Sequence, residues 1–396
     1  MLDLGKHPYL KYLLFSSLYF SEGLQFSICT PLIIIYFQKI GIPIDTATMV
    51  SGLAAAPFIL KFLMGPTIDF FLKYGRKPFI ITGGAVGGLF LILLAGIDPL
   101  ESVILFTIIL FISHVGVVFL DVSADAWAIQ ISKADERGRV NSAMFTGLFA
   151  GLAFGTVFLP YIGSTYSYQL AFVISGLVIF LTIVLPLAVK EIKIAKKRPK
   201  IAKLLYTEFR RKNTLIISFF GFVSAITFGM LMLIMPHYMI DVLKLTETQT
   251  GLLSLTLPLS TIVGAVTGGI MADKIGRKIT LYIFMIGTLI STSLLITADS
   301  WQILAILYSM VGFLQGGSVY SALMALFMDV TNPKIGATQF SIMTSIANFG
   351  EIGIGMFSGV LVVMLGYHRF FLYAALIIVP AILILHFVEE KKLFIR

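Results

Sequence analysis

The stretch GGIMADKIGRK, residues 268–278, separates two long apolar runs with a short acidic and basic loop. Gly269 and Asp273 end the first run, and Arg277 and Lys278 open the second. A loop of this kind lies at a membrane surface, because its flanking runs are too apolar for water. Positive charge at such a loop marks the cytoplasmic side of the membrane.

The first half of the chain carries a second copy of this loop. Its matching residues are Gly65, Asp69, Arg76 and Lys77, with three extra residues between the aspartate and the basic pair. Each copy is followed by another aspartate at the same interval. Asp125 lies 56 residues after Asp69, and Asp329 lies 56 residues after Asp273. The repeat indicates two homologous halves, each with a pair of aspartates at its inner end.

The composition is that of a membrane protein: 58% of the 396 residues are hydrophobic and 12% are charged. Segments of about 20 apolar residues can cross a bilayer as helices. Twelve such segments are predicted, at 10–38, 46–70, 78–97, 102–131, 140–162, 169–189, 214–240, 250–271, 279–298, 302–330, 337–365 and 369–388. The predicted fold class is therefore an all-α integral membrane protein with twelve transmembrane helices.

The net charge of +9 lies mainly in alternate loops. If both termini are cytoplasmic, every Lys and Arg falls on an inner segment except Lys39, Lys61, Lys244 and Arg369. This asymmetry predicts the orientation and argues against a nucleic-acid-binding surface. Residues 190–213 hold 10 basic and 2 acidic residues and are interpreted as a cytoplasmic linker. They separate a six-helix bundle at 1–189 from a second at 214–396.

The loop at 268–278 fits G-x-x-x-D-[RK]-x-G-R-[RK] throughout and resembles the major facilitator superfamily. PFILKFL at 57–63, DVSADAW at 121–127 and NPKIG at 332–336 resemble its branch of muropeptide permeases and acetyl-coenzyme A transporters. This resemblance implies two six-helix bundles related by a pseudo-twofold axis along the membrane normal. It also implies uptake of an anionic or amphiphilic solute together with protons.

Four ionisable residues inside the spans have no counterpart in the other half. At the interval of 204 residues, Glu22, Lys61, Asp121 and Glu351 match Ile226, Ala265, Ala325 and Gly147. Ionisable groups at membrane depth are costly and commonly serve a solute or ion pathway. We therefore expect these four residues, rather than the repeated ones, to contact the solute or carry protons.

Three polar residues complete this candidate site. Gln25 lies three positions after Glu22, and Asn348 lies three positions before Glu351, so each shares a helical face with its carboxyl group. His114 lies near the middle of the fourth span. A structural carboxyl at position 22 and a core histidine at position 114 are the alternatives.

Lys61 is expected to recognise the anionic group of the solute. A lone ammonium among apolar helices is costly, so Lys61 needs a carboxylate partner, which we predict to be Asp121. A permanent structural ion pair is the alternative. Glu22 and Glu351 are the predicted proton carriers.

The repeated residues are interpreted as a cytoplasmic gate. They are Gly65, Asp69, Arg76, Lys77 and Asp125 in the first half and Gly269, Asp273, Arg277, Lys278 and Asp329 in the second. We expect Arg76 to approach Asp125 and Arg277 to approach Asp329. A simple membrane anchor of positive charge is the alternative for these loops.

The leading functional prediction is a secondary transporter that works by alternating access in the cell membrane. An exporter of lipophilic compounds is the second possibility, and a channel is the alternative class. The sequence lacks a nucleotide-binding G-x-x-x-x-G-K-[ST] loop and a metal-ligating H-E-x-x-H motif. We therefore expect no enzyme activity, no cofactor and no metal. The expected partners are a small molecule, protons and lipid, with the protein as a monomer.

Overall fold

The computed structural model describes residues 8–70, 74–131, 137–191, 201–332 and 335–389. These residues form long helices joined by short turns. The helices of the first half are α1 (Pro8–Ser27), α2 (Ile33–Lys39), α3 (Ile44–Ile59), α4 (Lys61–Phe70), α5 (Lys77–Leu94), α6 (Val103–Ile131), α7 (Arg137–Thr165), α8 (Tyr168–Thr182) and α9 (Val184–Ala188).

The second half begins with a short helix in the linker. Its helices are α10 (Ile201–Phe209), α11 (Lys212–Asp241), α12 (Glu247–Ser254), α13 (Thr256–Ile275), α14 (Arg277–Leu294), α15 (Trp301–Gly317), α16 (Met324–Val330), α17 (Gly336–Asn348), α18 (Ser358–Leu376) and α19 (Ile378–His386). The predicted termini at 1–7 and 390–396 lie outside the described residues.

Eleven helices in the described ranges are long and apolar enough to cross a membrane. Eleven of the twelve predicted spans correspond to these helices, whereas the predicted span at 337–365 is divided. It comprises α17, a π-helical segment at Phe349–Ile354 and the start of α18. The break at Met356–Phe357 and the polar residues around Glu351 set this stretch apart from the other spans.

The described chain forms two compact units. Unit 1 comprises 1–43, 50–196 and 247–252, and unit 2 comprises 44–49, 197–246 and 253–396. Each unit thus includes a short segment from the other half of the chain. The predicted domain boundaries at 189/190 and 213/214 stay a prediction.

In unit 1, the glycine stripe of α7 lies directly against α1. A Cβ atom at Gly147 would meet the Ser16 carbonyl oxygen, and one at Gly151 would meet the backbone of Phe20. Small residues allow two helix backbones to approach closely inside a membrane. This contact holds α1, which carries the predicted site residues Glu22 and Gln25, beside α7.

Unit 2 is organised around α11. Gly229 of α11 lies against the backbone of Glu351, where a Cβ atom would clash with the carbonyl oxygen. Thr227 Oγ1 donates to the Ala374 carbonyl of α18 at 2.8 Å. A buried core that includes Phe220, Leu281 and Phe327 fills the space between these helices. Glu351 is therefore held close to α11 by backbone packing.

Several helices are interrupted at membrane depth. The first predicted span contains a π-helical segment, Ile28–Leu32, in which Thr30 adopts extended backbone angles (φ −148°, ψ 116°). Pro31 follows and has no N–H to donate, which explains why regular helix cannot continue. Similar π-helical segments at Ser318–Leu323 and Phe349–Ile354 carry Tyr320 and Glu351.

Both acidic residues of the basic linker are anchored to an inner loop. Glu191 accepts the backbone N–H of Arg76 at 2.5 Å and that of Lys77 at 3.1 Å, at the start of α5. Glu208 of α10 is buried and accepts from Asn332 Nδ2 at 2.6 Å, in the loop before α17. Each described end of the linker is therefore tied to one unit.

Candidate functional site

Lys61 lies at the centre of a charged cluster in unit 1. Its Nζ is 2.5 Å from Asp121 Oδ2 of α6 and 3.2 Å from Glu22 Oε1 of α1. Lys61 is 21% exposed, whereas the Glu22 and Asp121 side chains are 6% and 1% exposed. The sequence-based pairing of Lys61 with Asp121 is present in the structure, and Glu22 joins the same ion pair.

A helix interruption positions Lys61. Pro57 lies near the end of α3, which stops at Ile59, and α4 begins at Lys61 after a bend at Leu60 (φ −87°, ψ 8°). The Lys61 ammonium also lies over the Phe58 ring, 5.2 Å from its centroid. Proline frees a backbone carbonyl and kinks the helix, and this kink allows the lysine to turn toward α1 and α6.

The cluster holds more carboxyl groups than cations. The carboxyl groups of Glu22 and Asp125 both interact electrostatically with Asp121 and with Lys61. Tyr19 Oη donates a short hydrogen bond to Asp125. Neither Asp121 oxygen has a well-directed hydrogen bond among the described residues, although the ion pair with Lys61 is close. One ammonium thus faces three carboxyl groups.

Gln25 and His114 form a second, uncharged polar contact in unit 1. Gln25 Nε2 lies 2.9 Å from His114 Nδ1, and Cys29 Sγ lies 3.2 Å from His114 Nε2. His114 Nδ1 also lies 2.9 Å from the Leu110 carbonyl oxygen. His114 is fully buried with partners at both ring nitrogens. This geometry supports the alternative of a structural histidine that holds neighbouring polar groups in place.

Glu351 and Asn348 lie in unit 2 at the end of α17. Tyr320 Oη lies 3.2 Å and 3.3 Å from the two Glu351 carboxylate oxygens. The Tyr320 ring contacts Phe228 edge to face, with centroids 5.5 Å apart. Asn348 is half-buried one turn before Glu351. The Glu351 carboxyl therefore has a neutral hydroxyl as its hydrogen-bond donor, unlike the Glu22 carboxyl beside Lys61.

The predicted ion pair at the inner loop of unit 2 is present. Arg277 Nε lies 3.4 Å from Asp329 Oδ2, and Arg277 Nη1 donates to the Ala272 carbonyl at 2.7 Å. The guanidinium thus links the end of α13 to the end of α16. The Asp273 side chain, like that of Asp69, lies outside the described part of the structure.

The matching loop of unit 1 has different contacts. The contacts described for Arg76 include its backbone N–H to Glu191, and the hydrogen bond described for Asp125 is with Tyr19. Asp125 therefore lies beside the Lys61 cluster, where it interacts with Asp121 and Lys61. Gly65 has open space around its Cα, so close backbone packing does not require a glycine there.

The second basic residue of each loop binds the end of the last helix in its own unit. Lys77 Nζ donates to the Leu187 and Val189 carbonyls at 3.0 and 2.8 Å. Lys278 Nζ donates to the His386 and Val388 carbonyls at 2.8 and 2.9 Å. The preceding Gly75 and Gly276 have φ of +91° and +94°. The three extra residues therefore fall before Gly75 and leave the basic pair in register.

Sequence reasoning missed the hydroxyl and thiol groups of this site. They belong to Tyr19, Cys29 and Tyr320. Helical spacing offers a signal for two of them, because Tyr19 lies three positions before Glu22 and Cys29 lies four positions after Gln25. Tyr320 offers no comparable signal, since it lies 31 positions from Glu351.

The site residues are suited to proton exchange and ion pairing. In the described ranges, no group of three or more His, Cys, Asp or Glu side chains is arranged to hold a metal ion. The charged cluster instead brings three carboxyl groups and one ammonium together. Such a set can bind a proton or exchange an ion-pair partner.

A family model described as Major Facilitator Superfamily matches residues 15–223 and 217–393, nearly the whole chain. The chain belongs to the major facilitator superfamily. It is therefore a multi-pass membrane transporter, and its relatives are transporters and permeases rather than enzymes. This result confirms the family predicted from the loop at 268–278.

Two curated relatives and one solved structure are similar to the chain. The anhydromuropeptide permease of Escherichia coli (strain K12) is 26% identical over 390 residues, covering 92% of this chain and 77% of the relative. The quinolone resistance protein NorA of Staphylococcus aureus (strain MRSA252) is 30% identical over 149 residues, covering 37% and 38%. A bacterial homolog of the human lysosomal transporter Spinster, inward-facing and unoccupied, has a TM-score of 0.78 at 13% identity and covers 96% and 97%. The predicted all-α membrane fold is confirmed.

Proposed function

We propose that this transporter takes up a small anionic or amphiphilic solute by alternating access, and that protons drive the uptake. The observation that carries the proposal is the position of the Lys61 ammonium between Glu22 and Asp121. An anionic solute group and a proton can then act on the same ion pair. Glu22, Lys61 and Asp121 are the proposed site, in a cell membrane with both termini cytoplasmic.

Charge balance supports proton coupling. Three carboxylates and one ammonium would carry two excess negative charges in a mostly buried site. Neighbouring negative charges repel strongly there, because the dielectric constant inside a protein is low. Binding protons to the carboxyl groups relieves that repulsion. Protonation of Glu22 also weakens its attraction for Lys61, which leaves the ammonium available to an anion.

Anion binding and proton binding are linked by this geometry. An anion that takes the Lys61 ammonium removes the counter-charge of Glu22 and Asp121, and each carboxyl then binds a proton more readily. Linkage is reciprocal, so proton binding must favour anion binding by the same factor. Glu351 beside Tyr320 is the proposed proton site of unit 2.

The inner loops are proposed to gate the site from the cytoplasm. The contact of Arg277 with Asp329 supports this role in unit 2. In unit 1 the corresponding residues are Asp69, Arg76 and Asp125. The contacts of Lys77 and Lys278 with helix ends support an anchoring role for these two gate candidates. The remaining gate candidates lie in the helices that lead into these loops, Gly65 in α4 and Gly269 and Asp273 in α13.

Similarity to the anhydromuropeptide permease makes an anhydromuropeptide the first solute to test. The match to that permease spans 92% of the chain, whereas the match to NorA spans 37%. Export of lipophilic compounds is the second candidate function, supported by the NorA similarity. We expect a monomer, as in the sequence-based prediction.

The test uses the full chain in proteoliposomes with an imposed pH gradient. Accumulation of anhydromuropeptide that follows the inward proton gradient is the expected result. A matched measurement follows quinolone efflux from the same vesicles. Quinolone efflux without anhydromuropeptide uptake would contradict the uptake proposal and favour an exporter. Flux that neither saturates nor shows counterflow would indicate a channel.

A further inference from the structure

An uncharged polar cluster lies where the first span is interrupted. It consists of Gln25 near the end of α1, Cys29 in the following π-helical segment and His114 of α6. Gln25 and His114 are completely buried, and Cys29 is 4% exposed. A buried polar group at membrane depth is costly unless it has a hydrogen-bond partner, so a group without one is unusual.

The amide of Gln25 has a partner at only one end. Gln25 Nε2 donates to Ser113 Oγ at 3.0 Å, and Ser113 in turn donates to the Gly87 carbonyl at 2.8 Å. Gln25 Oε1 has no hydrogen-bond partner among the described residues. Flipping the amide by 180° exchanges its oxygen and nitrogen, so the nitrogen would then be the atom without a partner. One polar end of the Gln25 amide thus lacks a hydrogen-bond partner among the described residues.

The backbone beside Gln25 is also irregular. Thr30 leaves the helical conformation, and the Cys29 carbonyl accepts a hydrogen bond from Ser51 Oγ at 2.9 Å. Interrupted helices inside a membrane protein occur where backbone and side-chain groups line a solute or ion site. Gln25 and the helix break at Thr30 are five residues apart.

Phe58 connects this neutral cluster to the charged one. Its ring contacts the His114 ring edge to face, with centroids 6.1 Å apart, and lies 5.2 Å from the Lys61 ammonium. The two clusters therefore share one aromatic side chain. A solute that contacts both clusters would need a charged group and an uncharged polar group on either side of this ring.

We propose that Gln25, positioned by His114 and Cys29, forms a neutral subsite that binds an amide or hydroxyl group of the solute. This inference rests on the proposed function, because it assigns the uncharged part of the solute whose anionic part contacts Lys61. Gln25 supplies the hydrogen bond to the solute. His114 acts as a positioning residue, since both its ring nitrogens already have protein partners.

The sole cysteine of the chain offers a direct test. Cys29 lies beside the subsite, so reaction with a small aqueous methanethiosulfonate reagent reports access to it. The full chain in proteoliposomes should be labelled at Cys29, and saturating anhydromuropeptide should slow labelling at least fivefold. A C29S variant is the control for reaction elsewhere. A folded protein that resists the reagent, but reacts after unfolding in detergent, would overturn the subsite.

A substitution tests the hydrogen bond itself. Q25M keeps the length of the side chain and removes its polar end, so KM for anhydromuropeptide should rise about tenfold while the dependence on pH gradient remains. Q302M, at an exposed glutamine of α15, is the matched control. A Q25M transporter with KM within twofold of the wild type would overturn the inference.

The outcomes separate this inference from the proposed function. If the wild-type protein shows no uptake or binding of anhydromuropeptide, the proposed solute is wrong. Labelling of Cys29 without any solute then tests the subsite. Reaction in the folded protein supports it, and reaction only after unfolding contradicts it. If protons drive uptake in the wild-type protein, but neither modification of Cys29 nor the Q25M substitution changes that uptake, the proposed function stands and the subsite is wrong.

Discussion

Glu22 Oε1 lies 3.2 Å from Lys61 Nζ, although the two residues are 39 positions apart and belong to different helices. The sequence suggested separate roles for them, a proton carrier and an anion receptor. Their contact makes the two roles interdependent, because any change in the charge of Glu22 alters the attraction that holds Lys61. A single ion pair can thus couple two ligands without a long pathway.

The first prediction concerns Glu22. Replacing it in E22Q removes a group that exchanges protons while keeping the shape of the side chain. We expect accumulation of anhydromuropeptide driven by a pH gradient to fall roughly tenfold or more, whereas exchange of solute for solute persists. E101Q, at an exposed residue between α5 and α6, is the control. Unchanged pH-driven accumulation in E22Q would remove Glu22 from the coupling site.

The second prediction concerns Lys61. K61M leaves Asp121 buried without its cation, and loss of one partner from a buried pair costs about 3–5 kcal/mol. Because Lys61 is partly exposed, we expect the lower part of this range. The loss of thermal stability should be greater at pH 8 than at pH 5, since protons neutralise the abandoned carboxyl groups at the lower pH. An equal loss at both values would contradict this electrostatic account.

The double variant K61M/D121N separates recognition from structure. Removing both charged partners should recover most of the lost thermal stability, because neither buried charge is then left alone. Binding of the anionic solute should remain lost, since the ammonium is absent. Recovery of anion transport together with stability would show that Lys61 is a structural partner of Asp121.

Some of this site could be predicted from the sequence. The comparison of the two halves singled out Lys61 and Asp121, because a charge without a counterpart is visible in a repeat. Their depth along the helices was also readable from the helical rise. The third member, Glu22, could not be assigned to the same pair, since no spacing rule relates α1 to α4.

The helix interruptions explain most of what the sequence did not predict. The break at Leu60 redirects Lys61, and a regular helix built from the sequence would point this side chain elsewhere. Asp125 illustrates another limit. Its interval from Asp69 suggested a gate residue, which stays a prediction, but the interval gave no sign of its hydrogen bond with Tyr19 or its interaction with Asp121.

The third prediction concerns the contact of Arg277 with Asp329. D329N should weaken the attraction between the ends of α13 and α16, while Arg277 keeps its hydrogen bond to the Ala272 carbonyl. If this contact belongs to the gate, labelling of a cysteine introduced as K274C in a C29S background should change several-fold. D299N, at an exposed loop residue, is the control. Labelling rates equal to those of the parent protein would argue for a simple anchor.

The last prediction concerns Lys278, which donates to two carbonyls at the end of α19 as Lys77 does at the end of α9. A cation at a helix C-terminus stabilises it by about 0.3–1 kcal/mol, and by up to about 2 kcal/mol where partly buried. K278M should therefore lower thermal stability by about 1 kcal/mol, because these carbonyls lose their donor. K203M removes an exposed charge in the first turn of α10, away from any helix C-terminus, and should have little effect. Equal stability of the two variants, with transport lost only in K278M, would instead assign Lys278 to the gate.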